Sequence, residues 1–138
     1  MTAGDRVPVV AAVIRGDDDR YLVGRRPPEK RHGGLWEFPG GKVLEGESRL
    51  AAATRELEEE LGLRVVSLGR PLLSVEEPGS PFVIEFYETS VSGTPVALEH
   101  SQIGWFTLDE LVRMDLAPAD AWFVRTIAAA FLRSSSTH

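Results

Sequence analysis

Residues 41–63 read GKVLEGESRLAAATRELEEELGL, and the rest of the chain is arranged around them. A Gly-rich turn leads into a predicted helix that carries Arg55, Glu56, Glu58, Glu59 and Glu60. At about 100° per residue, with Glu56 as zero, Glu60 falls at about +40° and Glu59 at about −60°. Those three carboxylates share one face, and Glu58 points away. Leu50, Ala53, Leu57 and Leu61 fall between roughly +60° and +140°, an apolar stripe beside the acidic face. Such a helix can pack on a core while presenting three acids along one edge. Like charges at i,i+4, as in Glu56 and Glu60, cost an isolated helix about 0.2–0.5 kcal/mol, so the arrangement calls for a cation. Clustered hard oxygen ligands suit Mg²⁺ or Mn²⁺. Geometry alone leaves a second reading open, a solvated face on which Arg55 bridges to Glu59.

The spacing carries more information than the helix. Gly41, five residues, Glu47, seven residues, Arg55-Glu56-Leu57, one residue, Glu59-Glu60, one residue and Gly62-Leu63 together resemble the Nudix hydrolase signature at every fixed position. Nine constrained positions are too many for chance agreement. The flanks are similar to the MutT-type nucleoside triphosphate pyrophosphohydrolases of that family. They carry Arg25-Arg26, then Trp36-Glu37-Phe38-Pro39-Gly40, Glu99 ahead of Trp105, and Leu116-Ala117-Pro118-Ala119-Asp120. The resemblance implies an α/β Nudix fold, an α/β/α sandwich with a mixed sheet in which the signature forms a loop, a helix and a loop.

It also implies a chemistry. A nucleoside triphosphate, ordinary or oxidised, would be hydrolysed with Mg²⁺ to a monophosphate and pyrophosphate, an activity suited to cleansing the nucleotide pool. Glu56, Glu59 and Glu60 would be metal ligands, with the Gly40 carbonyl completing the set and Arg55 orienting the carboxylates. The general base is Glu56 by first choice, with Glu99 in reserve as base or further ligand. Arg26 and Arg31 would hold phosphate oxygens, and Glu37, Phe38, Pro39, Gly40 and Gly41 would line the nucleotide pocket. Asp120 stands where this group reads the base, in place of the Asn of the bacterial pattern. Asn donates and accepts, whereas an ionised Asp only accepts. Asp120 therefore suits the N4 amino group of cytosine and opposes guanine O6 unless protonated, so cytosine and 8-oxoguanine nucleotides both stay open. The alternatives are another diphosphate substrate, such as a nucleotide sugar or dinucleoside polyphosphate, and a non-catalytic nucleotide-binding module.

Length and charge bound the rest. A chain of 138 residues is expected to form one domain, spanning 1–138, with a core that needs no staple. The absence of cysteine removes disulfides and thiolate chemistry. A net charge of −6 speaks against a polyanion-binding surface, so no stable nucleic-acid complex is expected. No apolar run approaches the roughly 18 residues of a membrane span, and residues 1–8 lack the layout of a signal peptide. The expectation is a soluble cytoplasmic protein, monomer or homodimer.

Outside the signature, residues 7–14 and 20–25 read as two strands of a hairpin across a Gly/Asp turn. Asp17, Asp18 and Asp19 read as a solvated turn rather than a metal site. Residues 26–34 (RPPEKRHGG) form a basic loop, in which Lys30 reads as solvated. Glu37, an acid between two aromatics, is expected to have a partner. Residues 64–76 and 82–91 read as strands, the second half-buried, with residues 77–80 as the turn. His100 reads as structural or surface more readily than catalytic. Thr107 and Glu110 mark a capping box, residues 116–119 a loop, and residues 120–132 a terminal helix with a stripe of Phe123, Ile127 and Ala130. Residues 133–138 are expected to fray.

Overall fold

The computed structural model describes residues 6–136, with side chains to residue 133. The central element is β1 (Val7–Val13), whose apolar run is buried on both faces. Ala11 and Val13 face a cluster with Phe86, Leu111, Phe123 and Val124. The alternate residues face the other way: Ala12 and Ile14 pack with Leu57, Leu61 and Leu63, and Val10 packs with Ala52 and Ala53. A strand buried on two faces needs a helical layer on each. Here α1 (Arg49–Leu61) covers one face, and α2 (Leu108–Val112) and α3 (Pro118–Ser136) cover the other.

Strand β1 runs antiparallel to β4 (Gly40–Lys42) and parallel to β6 (Phe82–Ser92), which pairs antiparallel with β5 (Arg64–Glu76). The mixed sheet thus has the order β4-β1-β6-β5. Pro71 lies in β5, an edge strand, where a missing N–H is tolerated, and the register shifts on both sides of it. A second, antiparallel sheet has the order β3-β2-β7, from β2 (Arg20–Arg25), β3 (Trp36–Glu37) and β7 (Gln102–Thr107). The expected β1–β2 hairpin is realised only at its tip, where Gly16 donates to Arg20 O and Leu22 to Ile14 O. Beyond it the two strands diverge into different sheets. Each pairs along its full length elsewhere, β1 with β6 and β2 with β7. At the tip, Asp18 and Asp19 pair with Arg20 and Arg15, as a solvated turn would.

Helix α1 starts where its sequence allows. The Ser48 side chain accepts from Ala51 N–H, and Gly62 closes the helix at φ 65°, its N–H donating to Glu58 O. The helix has no acid in its first turn and no base in its last. The expected apolar stripe holds at Ala53, Leu57 and Leu61, but Leu50 is 49% exposed. Ala52 is buried instead, packed with Ala53 against Val10. The Thr107–Glu110 capping box forms in both directions. Helix α3 begins two residues before its expected start, with Pro118 in a first turn that has no use for its N–H. It continues through Ser136, past the point where fraying was expected, and residues 137–138 lie outside the described residues. Phe123 is buried and Ile127 packs on the core, whereas Ala130 is exposed because the helix has by then run past the sheet.

Candidate active site

Two cavities meet at the carboxyl-side end of β3 and share Arg26, Glu37 and Gly40 in their walls. The first, about 510 Å³, is lined further by Glu56, Glu60, Glu99 and His100. The second, about 360 Å³, runs between β1, β6 and the start of α3 and is lined by Val9, Phe82, Ile84 and Asp120 among others.

Two carboxylates of the first cavity, Glu56 and Glu60, come from α1, and Glu37 and Glu99 come from outside it. Glu60 is buried, its Oε1 3.4 Å from the Gly40 N–H. Burial first, and then the neighbouring Glu56 and Glu37, push the Glu60 carboxyl well above the ordinary carboxylate range. Glu56 lies against Gly41, where an added Cβ would stand 2.2 Å from Glu56 Oε2. At Gly40, φ is 150° and a Cβ would meet Val10 O at 1.8 Å. These two glycines let the chain pass directly under the acids. Arg55 braces the group: its Nε and Nη2 donate to Glu47 at 2.9 and 3.0 Å, Nη2 also reaches Lys42 O at 3.0 Å, and Nη1 donates to Glu56. Its pairing holds the Glu47 carboxyl down at about 2 and raises the guanidinium in turn, Glu47 being the main cause.

Glu37 has the partners expected of a half-buried acid. Arg26 Nη1 donates to its two oxygens at 3.0 and 3.1 Å, and His100 Nε2 lies 3.0 Å from Oε2. In the second cavity Asp120 is buried, and its Oδ1 accepts from Phe38 N–H at 2.9 Å. Burial raises the Asp120 carboxyl to about 8, helped by Glu37 and opposed by the Phe38 hydrogen bond. Burial thus favours the protonated form of Asp120, which carries an O–H to donate. At the mouth, Glu77 accepts from Arg31 Nη2 and lies 3.2 Å from His32 Nε2. Lys42 Nζ and the Arg31 guanidinium stand 5.1 and 5.8 Å from the Phe82 ring centre.

The expected site residues are thus largely gathered, with three set apart. Glu59 lines neither cavity; its side chain is 53% exposed and lies 3.9 Å from Arg55. Pro39 is fully buried, with its carbonyl accepting from Ala12 N–H. The Phe38 ring is core, edge-on to Phe86 and Phe123, so it is the backbone of residue 38 that serves the pocket. Lys42, Glu77 and Phe82 were not foreseen. Lys42 could have been found beside the paired glycines, whereas no local signal joins residue 77 to residue 32. Among the described residues no three acids or imidazoles form a ready-made metal cage. The donor chemistry nevertheless fits a hard divalent cation: Glu60 and Glu56 bring oxygen donors together beside the Gly40 backbone, and a cation there would favour the ionised form that burial disfavours at Glu60.

Comparison with known proteins agrees with this geometry. The family described as NUDIX domain matches residues 5–127. A CTP pyrophosphohydrolase of Escherichia coli (strain K12) is 38% identical over 117 residues, 83% of this chain and 85% of that protein. A putative 8-oxo-dGTP diphosphatase 2 of Mycobacterium tuberculosis (strain ATCC 25618 / H37Rv) is 35% identical over 127 residues, 90% of this chain and 89% of the relative. Among solved structures, the solution structure of the E. coli ORF135 protein superposes with a TM-score of 0.77 at 35% identity, covering 96% of this chain and 94% of that one. Members of the family generally require a divalent metal such as Mg²⁺. With the domain matched over most of its length and relatives of this similarity spanning nearly all of it, the chain belongs to the NUDIX family.

Proposed function

We propose that this protein is a Mg²⁺-dependent nucleoside triphosphate pyrophosphohydrolase, with Mn²⁺ as a substitute ion, acting on cytosine or oxidised guanine nucleotides. The observation that carries the reading is the pair of joined cavities, one acidic and one ending at Asp120, with Arg26 and Glu37 at their junction. A nucleotide laid across that junction puts its base beside Asp120 and its phosphates beside the carboxylates. Bound divalent cations would supply the positive charge that both the phosphoryl oxygens and the attacking water need. Glu56 accepts the proton that water loses as it attacks phosphorus, and the bond to pyrophosphate breaks on the opposite side. Arg55 fixes the direction of the Glu56 carboxylate. Glu56, Glu59 and Glu60 and the Gly40 carbonyl would hold the ions, and Glu99 is the reserve base or ligand. Arg26 and Arg31 neutralise phosphate oxygens.

The two named relatives differ in base, and Asp120 is where this chain would choose. With Oδ1 engaged by Phe38 N–H, the second oxygen faces the base. Protonated, it donates to guanine O6 or to cytosine N3; ionised, it accepts from the cytosine N4 amino group. The test is a panel of CTP, dCTP, dGTP, 8-oxo-dGTP and a nucleotide sugar, compared by kcat/KM with product identification. Monophosphate and pyrophosphate from CTP or 8-oxo-dGTP at the highest kcat/KM is the expected result. Preference for the nucleotide sugar, or no turnover with any member, would overturn the reading. A monomer or homodimer with no stable nucleic-acid complex accompanies this proposal.

A further inference from the structure

His100 has no task in that chemistry, yet its side chain is only 4% exposed in the wall of the acidic cavity, against the Glu37 that both cavities share. The backbone around it is clipped at both ends. Leu98 N–H donates to Glu60 O at the end of α1, and Ser101 N–H donates to Arg25 O at the end of β2, both at 3.0 Å. The imidazole lies on Gly24, where an added Cβ would stand 2.5 Å from Cγ, 2.6 Å from Cδ2 and 2.8 Å from Nδ1. The ring can hold this position only because residue 24 has no side chain. Its Nε2 lies 3.0 Å from Glu37 Oε2 and 3.9 Å from Glu60 Oε1. Nδ1 is buried and has no hydrogen-bond partner. Glu37, held by Arg26, offers only lone pairs in that ion pair, so Nε2 must be the donor. A proton on Nδ1 would be a buried donor with nothing to receive it.

We propose that His100 is a positioning residue: its Nε2–H fixes the Glu37 carboxylate, and through it the Arg26 guanidinium, at the junction of the acidic and nucleotide cavities. Only the kinetic arm of the test rests on the hydrolytic reading above. The arrangement is a chain of contacts from Gly24 to His100, Glu37 and Arg26, set beside Glu60 without serving as a ligand. Loss of the donor frees Glu37 to turn and lets Arg26 leave its place, which weakens hold of the nucleotide more than it alters proton transfer.

The first measurement is the imidazole tautomer in ¹⁵N-labelled native protein, read from long-range ¹H–¹⁵N correlations. A proton on Nε2 and a bare Nδ1 are expected; a proton on Nδ1 overturns the proposal. The second compares His100→Phe with His100→Gln on CTP and 8-oxo-dGTP. Phe removes the donor, whereas the Gln amide supplies an N–H at similar reach. Expected is a KM raised roughly 10- to 100-fold in the Phe variant, with kcat and Mg²⁺ half-saturation changed far less, and recovery of most of the loss in the Gln variant. A role in packing alone would lower Tm in both variants without separating their KM values, and that result also overturns the proposal. Should the Phe variant fail to fold, the tautomer and the Gln variant decide. If native protein hydrolyses neither nucleotide, the hydrolytic reading falls separately. His100 is then judged by its tautomer and by whether exchange of the Arg26 Nε–H quickens in His100→Phe.

Discussion

The acidic cavity and the nucleotide cavity share a wall but are made in different ways. Glu56 and Glu60 sit one helical turn apart on α1, and the glycines that make room for them precede that helix by a few residues. The nucleotide cavity draws on β1, the loop after β2, the turn after β5, β6 and the start of α3. Its defining hydrogen bond joins Phe38 to Asp120 across 82 residues of sequence. The paired acids of one cavity are set by helix geometry, although Arg26, Glu37, Glu99 and His100 complete its walls from elsewhere in the chain. The other depends on strand order and on where α3 docks. Reactivity is local in this molecule, and selectivity is tertiary.

The sharpest break in that contrast comes from the acids. Glu56→Gln and Glu60→Gln are expected to lower kcat on the order of a thousandfold while circular dichroism stays native. In metal-free buffer Glu60→Gln should be no less stable than the native protein, because it removes a buried carboxyl that resists ionisation. Near-native turnover of either variant at saturating Mg²⁺ would dissolve the division between the two cavities. Gly41→Ala is expected to cost kcat about 10- to 100-fold, since its Cβ would occupy the place of Glu56 Oε2. KM for the nucleotide should move much less.

Changes in the other cavity should spare kcat and alter choice. Asp120→Asn is expected to shift the kcat/KM ratio between 8-oxo-dGTP and CTP by about tenfold or more. In the native protein the same ratio should move toward CTP as pH rises through about 8, where Asp120 loses its proton. Stability reports the same group. The folded value of about 8 lies above the ordinary 3.8, so folding takes up a proton between those limits. The contribution is full below about pH 4 and is lost as pH rises to about 8, on the order of a few kcal/mol. Urea denaturation in EDTA across that range should show the decline, and Asp120→Asn should flatten part of it. The smallest effect belongs to the mouth. Arg31→Ala removes a half-exposed ion pair with Glu77 and should raise KM no more than about fivefold.

The same contrast explains what could be read from the chain alone. The placement of Glu56 and Glu60 on one face of α1, the capping box at Thr107 and the limits of β2 and β5 follow from neighbours a few residues apart, and they stand where the sequence puts them, whereas Glu59 turns to solvent. The β1–β2 hairpin failed because strand pairing is decided by partners sixty or more residues away. Leu50 and Ala130 carried the right period but lay beyond the reach of the sheet, which periodicity does not measure. The elevated Asp120 carboxyl had no sequence signature either. It arises from burial by helix docking, which favours the protonated form with an O–H to donate. The Glu77 contacts and the enclosure of His100 belong to the same class.

The ends of α1 have a consequence of their own. The helix opens without an acid and closes with Glu58, Glu59 and Glu60 and no base, so its charges oppose the peptide dipoles. Acids at the carboxyl end stand where unpaired carbonyls already gather negative charge. In the free protein the last turn of α1 is thus loaded against itself, and it is held by packing of Leu57 and Leu61 and by the N–H groups of Gly62, Leu63, Val96 and Leu98 on its last carbonyls. A divalent ion captured there would relieve backbone and side chains together. Ion capture and completion of the helix would then be one event, with amide exchange in that turn reporting whether it has occurred.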